Sequence, residues 1–389
     1  MGQIDMQSAL YFAFMRGREG EIRALRMLSP FARARMAAVV DLPTIKEDSN
    51  KSIELHINNF ASDVIRAWGT KLPVYLDMKR HASDLKDARG RAAVEHLFDC
   101  ARQLKAIAIP VTGPLIERGP DSLYIDAVTR IAAKDGRGAA FRIEHEDFSD
   151  ATVLKRELDE GLKRLQVSTD HVDVFLDAGG LEFLPEAAAS EAELLDSLRN
   201  AAAVCKAYNF RNIVFAGSSV PENLADSSIE KPMIIARSEL RVWKSLTLAD
   251  ELPLIRFGDT CVWSPRQPDT GGGGGGPPPA RVRFPIGDNQ IFFRAPSNTY
   301  REVCRAVLQY PGFTGLPRSI GFDEIRRCAL GNGPEEGAAT WVSRDTNMHM
   351  EVTVQHVQRH LESCGRIKEI ALQAVKSEPW QQEWLPELQ

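Results

Sequence analysis

The sequence lacks most of the short motifs that mark a known chemistry. The first strand-to-helix turn has no GxGxxG fingerprint, and the chain contains no P-loop, no GxSxG nucleophile elbow and no HExxH zinc motif. The six cysteines are scattered without a CxxC pair, which argues against a zinc ribbon or a disulfide framework and favours reduced thiols. No metal site is therefore predicted, and the sequence identifies no cofactor.

The chain also lacks long apolar runs and an excess of positive charge. No run approaches the length that spans a bilayer and no signal-peptide pattern opens the chain, so a cytoplasmic protein without a membrane partner is expected. The formal net charge is −5 and the pI is near 6.0, which gives no strong signal for nucleic-acid binding.

What the sequence does contain is a regular alternation of strand-like and helix-like segments. The helix-like segments are apolar on one face, as at Ile53, Ile57, Phe60 and Val64. The strand-like runs begin near residues 11, 37, 73, 106, 139, 172, 212 and 254. This alternation predicts parallel βαβ units, and eight of them predict a TIM-like (β/α)8 barrel. A doubly wound open sheet is the competing interpretation.

Several strand-like runs end on charged side chains. In PVYLDMK (73–79), AFRIE (140–144) and VDVFLD (172–177), one alternating set of residues is apolar and suits the helix-covered outside of a barrel. The other set carries the charges and is predicted to point inward. The charges then meet at the C-terminal mouth of the barrel, where TIM-barrel active sites lie.

These positions define the predicted site. Glu144 and Asp177 are the candidate acid/base residues, because carboxylates at a barrel mouth suit proton transfer. The candidate binding residues are Arg16, Asp41, Asp77, Lys79, Arg142, Ser218, Ser219 and Asp259. The two serines belong to AGSSVP (216–221), whose small residues suit an anion that approaches the backbone after the seventh strand. The lysine and arginines balance the acidic charge, so no metal is assigned.

A second interpretation of these residues stays open. Burying a charge costs several kcal/mol unless it is paired, so a salt-bridge network that only fills the barrel mouth requires the same mutual pairing. His145, next to Glu144, is a further candidate base, although a lone histidine in a polar loop commonly has no such role.

The composition changes after the eighth strand-like run. Residues 1–263 are predicted to form the barrel. Residues 264–280 contain six consecutive glycines and three prolines, which predicts a flexible insertion. Residues 281–389 begin with a predicted β-hairpin around PIGDN (285–289) and continue with helices. They are predicted to form a C-terminal α/β extension that packs on the barrel near its mouth.

The order of these segments resembles that of a known family, the phage-type Beta family proteins. The resemblance rests on motifs such as YFAFMRGREGEIRALRML (11–28), VDVFLDAGG (172–180), RFGDTCVWSP (256–265) and TWVSRDTNMHMEVTVQHV (340–357). It implies a TIM-like barrel with a C-terminal extension and an association with phage or antiviral-defence functions. No catalytic residues are established for the family, so the resemblance supplies none. The chain has Arg16 and Arg18 where the first motif is expected to carry a lysine, and Met348-His349 where paired histidines are expected.

Two classes of function follow. The first is a defence-associated recognition barrel that binds a phage component, an anionic ligand or a partner effector from a defence operon at its mouth. The second is a hydrolase, such as a phosphodiesterase, in which Arg16, Lys79 and Arg142 hold an anionic substrate, while Glu144 and Asp177 serve as acid/base residues or metal ligands. The lack of a recognised catalytic motif favours the first class.

Overall fold

Eight parallel strands form a closed barrel in the computed structural model of the chain. The structure describes residues 8–45, 51–113, 123–181, 187–267, 279–296, 299–333, 337–370 and 372. The barrel strands are β1 (Tyr11–Met15), β2 (Met36–Asp41), β3 (Pro73–Asp77), β4 (Ile107–Thr112), β5 (Ala139–Glu144), β6 (Val172–Gly180), β7 (Asn212–Ser218) and β9 (Ile255–Asp259). Each strand pairs with the next, and β9 closes the barrel on β1. The predicted TIM-like fold is confirmed.

Helices cover the outside of the barrel. They are α1 (Glu19–Arg26), α2 (Pro30–Arg33), α3 (Ile53–Trp68), α4 (Ala93–Gln103), α5 (Leu123–Asp135), α6 (His145–Phe148), α7 (Ala151–Leu165), α8 (Ala187–Lys206) and α9 (Ser238–Thr247). Helix α3 illustrates their origin, because Ser52 caps it by accepting a hydrogen bond from the Leu55 backbone N–H at 3.2 Å. None of the helices that the structure describes combines the length and the apolar character needed to cross a membrane.

Side chains along each strand alternate between the lumen and the helix layer, as the sequence pattern predicts. Val74 and Leu76 pack in the outer core, whereas Tyr75 between them lies in the lumen. The lumen cluster consists of Ala9, Phe12, Phe14, Ala37, Val39, Tyr75, Ile109, Val111, Ala140, Phe175, Val214 and Ala216. The barrel interior is therefore a packed core rather than a pore, and charged residues of the inward set are confined to its two ends.

A second, antiparallel sheet stands beside the barrel. Its strands, in the order β10-β11-β8, are β8 (Met233–Ala236), β10 (Ala280–Ile286) and β11 (Asn289–Ala295). Strands β10 and β11 are the predicted hairpin. Strand β8 comes from the segment predicted as barrel, yet it pairs with β11. Helices α10 (Tyr300–Gln309), α11 (Ile320–Ala329) and α12 (Ala338–Ser363) complete the extension.

Helix α12 joins the barrel to the extension. Met350 and Val354 pack in the outer core of the barrel, whereas Met348 and Val352 pack against the second sheet. Helix α12 also packs closely against α1. Gly20 of α1 permits this packing, because a Cβ at residue 20 would lie 2.7 Å from a methyl group of α12 and 2.9 Å from one of its carbonyl oxygens. Most of the predicted insertion, residues 268–278, lies outside the described residues, and the three domain boundaries stay predictions.

Candidate functional site

Charged side chains gather at the C-terminal end of the barrel lumen. They stand in the C-terminal halves of β2, β3, β5 and β6 or just after β3. This mouth cluster consists of Asp41, Asp77, Lys79, Arg142, Glu144 and Asp177. All six are predicted site residues. Strand alternation brings them together, because Asp77 and Asp177 are two residues beyond Tyr75 and Phe175, which fill the lumen.

Arg142 is the centre of the mouth cluster. Its Nη1 donates to Oδ1 of Asp41 at 2.9 Å and to Oδ2 of Asp77 at 3.1 Å. Its Nε donates to Oδ2 of Asp177 at 2.8 Å. The guanidinium carbon lies 5.1 Å from the ring centroid of Phe14, the aromatic side chain below it. Three carboxylates therefore fix the orientation of one cation whose side chain is only 9% exposed.

The pKa values of Asp41 and Asp177 shift in opposite directions, although both carboxylates contact Arg142. Burial tends to raise the pKa of Asp177, but Arg142 and Lys79 outweigh burial and hold that pKa at about 2. Burial raises the pKa of Asp41, and the neighbouring Asp77 adds to the rise against the opposing effect of Arg142. Asp177 is therefore ionised throughout the physiological range, while Asp41 accepts a proton more readily.

Lys79 and Glu144 form the solvent-facing part of the mouth cluster. The Lys79 ammonium pairs with the Glu144 carboxylate and lies 3.7 Å from Oδ2 of Asp177. The Lys79 and Glu144 side chains are 29% and 35% exposed, unlike the nearly buried Arg142. Burial, followed by the proximity of Arg142, lowers the pKa of Lys79. Solvent thus reaches this pair, and so can a ligand.

Every residue of the mouth cluster except the fully buried Asp77 lines an open cleft of about 450 Å³. Loops that follow the strands supply further lining residues, among them Arg80, His145, Thr260 and Arg266. Burial lowers the pKa of His145, so its imidazole is neutral at neutral pH. His145 was identified in the sequence as a further candidate, whereas Arg80 and Arg266 were missed. Their positions in the sequence could have identified them. Arg80 follows β3 and Arg266 follows β9, and the loops after these strands form the mouth of the barrel.

Two other predicted residues lie beside the cleft and are engaged elsewhere. The Arg16 guanidinium stacks on Trp263, 4.6 Å from the ring centroid, and donates to the Gln267 carbonyl at 2.7 Å. The Ser218 hydroxyl donates to the Trp263 carbonyl at 3.2 Å. Both residues therefore hold the segment that follows β9.

Ser219 and Asp259 belong to a separate, buried network between the barrel and the extension. This anchor cluster consists of Tyr11, Ser219, Arg237, Glu239, Asp259 and His349. Asp259 accepts hydrogen bonds from the Tyr11 hydroxyl at 2.5 Å and from Arg237 Nη2 at 2.8 Å, and it lies 2.8 Å from His349 Nε2. The Ser219 hydroxyl donates to Glu239 at 2.5 Å.

Strand alternation explains why Asp259 points away from the cleft. Ile255 and Phe257, on the same face of β9, pack in the outer core, so Asp259 points outward to α12. The sequence LIRFGD (254–259) already indicates this direction, because Asp259 falls in the same alternating set as the apolar Ile255 and Phe257. No local pattern predicts the contact of His349 with Asp259, because the two residues are 90 positions apart in the sequence.

Within the ranges that the structure describes, no group of three or more His, Cys, Asp or Glu side chains is placed to hold a metal ion. The mouth carboxylates are instead occupied by Arg142 and Lys79.

The chain is similar to a known protein family over most of its length. A family model described as Beta protein matches residues 11–355 of the 389-residue chain. The chain belongs to the Beta protein family. The match begins with the first barrel strand and ends within α12, so the Beta protein region includes the whole mouth cluster and the anchor cluster. No curated protein matches the chain.

Proposed function

We propose that this phage-type Beta family protein is a recognition barrel whose mouth cleft binds an acidic group of a phage component or of a partner effector. Its setting is phage biology or antiviral defence, which the family resemblance implies. The observation that carries the proposal is the partly exposed Lys79–Glu144 pair at the edge of the cleft.

An acidic ligand would replace Glu144 on the Lys79 ammonium. A partly exposed ion pair contributes only about 0–1 kcal/mol, so opening it costs little. Arg80 and Arg266 line the same cleft and would add positive charge around a bound carboxylate. Arg142 cannot turn toward the ligand without leaving three aspartates, so it serves as the rigid base of the site. An acidic protein segment or an anionic small molecule fits this arrangement.

A phage challenge tests the proposal directly. Cells that produce the wild-type chain should form fewer plaques than control cells, and Lys79→Met should remove most of that protection. Lys155→Met is the matched control, because Lys155 on α7 forms an exposed pair with Asp159 on the outside of the barrel. It should protect as well as the wild type. Full protection by Lys79→Met, or no protection by the wild type against any phage tested, would contradict the proposal.

A hydrolase acting on an anionic substrate is the second candidate, and the neutral His145 beside Glu144 favours it. A neutral imidazole accepts a proton from water or substrate near physiological pH. Asp177 fits poorly as a proton donor, because its pKa of about 2 and its bond to Arg142 keep it ionised. Of the two candidate acid/base carboxylates, Glu144 is then the one left to transfer a proton beside His145, so a Glu144→Gln variant separates the two functions.

A further inference from the structure

Three arginines gather on one face of the second sheet. These sheet arginines are Arg281, Arg283 and Arg294. Arg281 and Arg283 share a face of β10, and Arg281 stands directly opposite Arg294 on β11. Side chains at directly opposite positions are neighbours, and like charges there destabilise a sheet. An anion bound on this face would offset the repulsion between Arg281 and Arg294.

The described residues supply little negative charge to these arginines. No carboxylate among them forms an ion pair with Arg281 or Arg294, and Arg283 has only Asp345, whose Oδ2 lies 3.9 Å from its Nε. Burial raises the pKa of Asp345 to about 8, so Asp345 is mostly protonated at neutral pH. Burial, and then the charges of Arg283 and Arg294, lower the pKa of Arg281.

The hydrogen-bonding capacity of the sheet arginines is also incompletely used. Arg283 donates through Nη1 to the Val262 carbonyl at 3.1 Å, and Arg294 donates to the Ala225 carbonyl at 3.2 Å. Each of the three nevertheless keeps a buried Nε–H group without an acceptor in the described part of the chain. Buried donors without acceptors are costly, and an oxyanion bound on this face would accept hydrogen bonds from all three.

We propose that the sheet arginines bind the phosphate group of a small phosphomonoester. Planar guanidinium groups bind phosphate through paired N–H donors, and a phosphate dianion matches several cations better than a singly charged carboxylate does. Arg281 and Arg294 are partly exposed and reach the ligand from the surface. Arg283 is 3% exposed and stacks on Trp263, 4.8 Å from the ring centroid, so it is a fixed charge beneath them. This site is separate from the mouth cleft.

Thermal unfolding and calorimetry with inorganic phosphate test the site, with chloride at matched ionic strength as the reference. Phosphate should raise the melting temperature of the wild type more than chloride does. Arg281→Gln should weaken phosphate binding about 10- to 100-fold, as expected for the loss of a charge-assisted hydrogen bond. Without phosphate, Arg281→Gln should melt at a higher temperature than the wild type, because it removes the repulsion from Arg294.

A matched control is Arg199→Gln, because Arg199 lies on α8 in an exposed pair with Asp196. It should keep the wild-type phosphate response. The inference fails if phosphate stabilises the wild type no more than chloride does, or if Arg281→Gln binds phosphate as tightly as the wild type. It also fails if Arg281→Gln lowers the melting temperature without phosphate, since the arginines would then be structural.

Two further arms identify the site and the ligand. Lys79→Met should keep the full phosphate response, because the mouth is a different site. Loss of the response in Lys79→Met with retention in Arg281→Gln would assign phosphate to the mouth and overturn the inference. A short oligothymidylate should bind more weakly than inorganic phosphate. Tighter binding would indicate a nucleic-acid backbone as the ligand and would make the phosphomonoester assignment wrong.

Discussion

Both ends of the barrel lumen carry buried charges, but the charges are neutralised in opposite ways at the two ends. The floor cluster at the N-terminal end consists of Tyr75, Asp173, Arg211 and Asn212. Asp173, which is fully buried, accepts from Tyr75 at 2.6 Å, from Arg211 at 2.5 and 3.0 Å and from Asn212 at 2.8 Å. Several donors therefore saturate a single carboxylate, and none of its oxygens remains for a ligand.

At the mouth, by contrast, three carboxylates share one guanidinium, and a further ion pair faces solvent. Arg142 is fixed by its three aspartates, but Lys79 and Glu144 are partly exposed and open to exchange. A buried charge network is therefore not by itself a binding site. The exposed edge of the network, at the end of the barrel where the loops converge, is what distinguishes the mouth.

The largest expected effect comes from removing the centre of the mouth cluster. Arg142→Met should lower the free energy of unfolding at neutral pH by about 3–5 kcal/mol, because it leaves buried aspartates without their cation. The loss should shrink as the pH falls, since protonation removes the repulsion between these carboxylates. Urea unfolding across a pH series measures both effects. A loss that is the same at every pH would contradict this account.

The floor cluster provides the control for that experiment. Asp173→Asn should also destabilise the protein, by about 3 kcal/mol, because Arg211 loses its buried partner. Phage protection by the folded Asp173→Asn protein should nevertheless equal that of the wild type, because the floor cluster is at the closed end of the lumen. Loss of protection in a folded Asp173→Asn protein would break the distinction between the two ends.

A smaller, pH-dependent effect is expected at Asp177. Its pKa of about 2 in the folded protein lies below the ordinary value of 3.8, so its ionisation stabilises the fold above about pH 4. This contribution, roughly 2 kcal/mol, should be lost as the pH falls from about 4 toward 2. Asp177→Asn should therefore be less stable than the wild type at neutral pH, and the difference should narrow in acid. Chemical denaturation of both proteins at each pH would reveal a constant difference if Arg142 did not depress this pKa.

The barrel and most of the mouth cluster were predictable because both depend on local alternation. In β3 and β6, the apolar set marks the outer face and leaves Asp77 and Asp177 inside, and the structure has that arrangement. The same rule, applied to β9, assigns Asp259 to the outside. A strand that ends on an acid is therefore not sufficient evidence for a mouth position. The alternating set to which the acid belongs decides whether it points into the lumen or toward the helices.

Contacts between distant segments were not predictable from local pattern. Asp259 meets His349 only because α12 packs between the barrel and the second sheet. The pairing of β8 with β11 likewise joins two segments more than 50 residues apart. No periodicity encodes such contacts, since they depend on how amphipathic elements cover one another. The opposition of Arg281 and Arg294 has a local signal, the PIGDN turn that sets the hairpin register.

The smallest effect on stability, and the sharpest test of function, is expected for Glu144→Gln. Glu144 is partly exposed and pairs with the similarly exposed Lys79, so its loss should cost less than about 1 kcal/mol. If the cleft recognises an acidic group, removing the competing carboxylate should leave phage protection intact or strengthen it. If Glu144 is instead the acid/base residue of a hydrolase, the amide cannot exchange the proton and protection should disappear. Measured together, melting temperature and plaque formation separate the outcomes, because loss of protection without loss of stability would refute recognition by exchange and support catalysis.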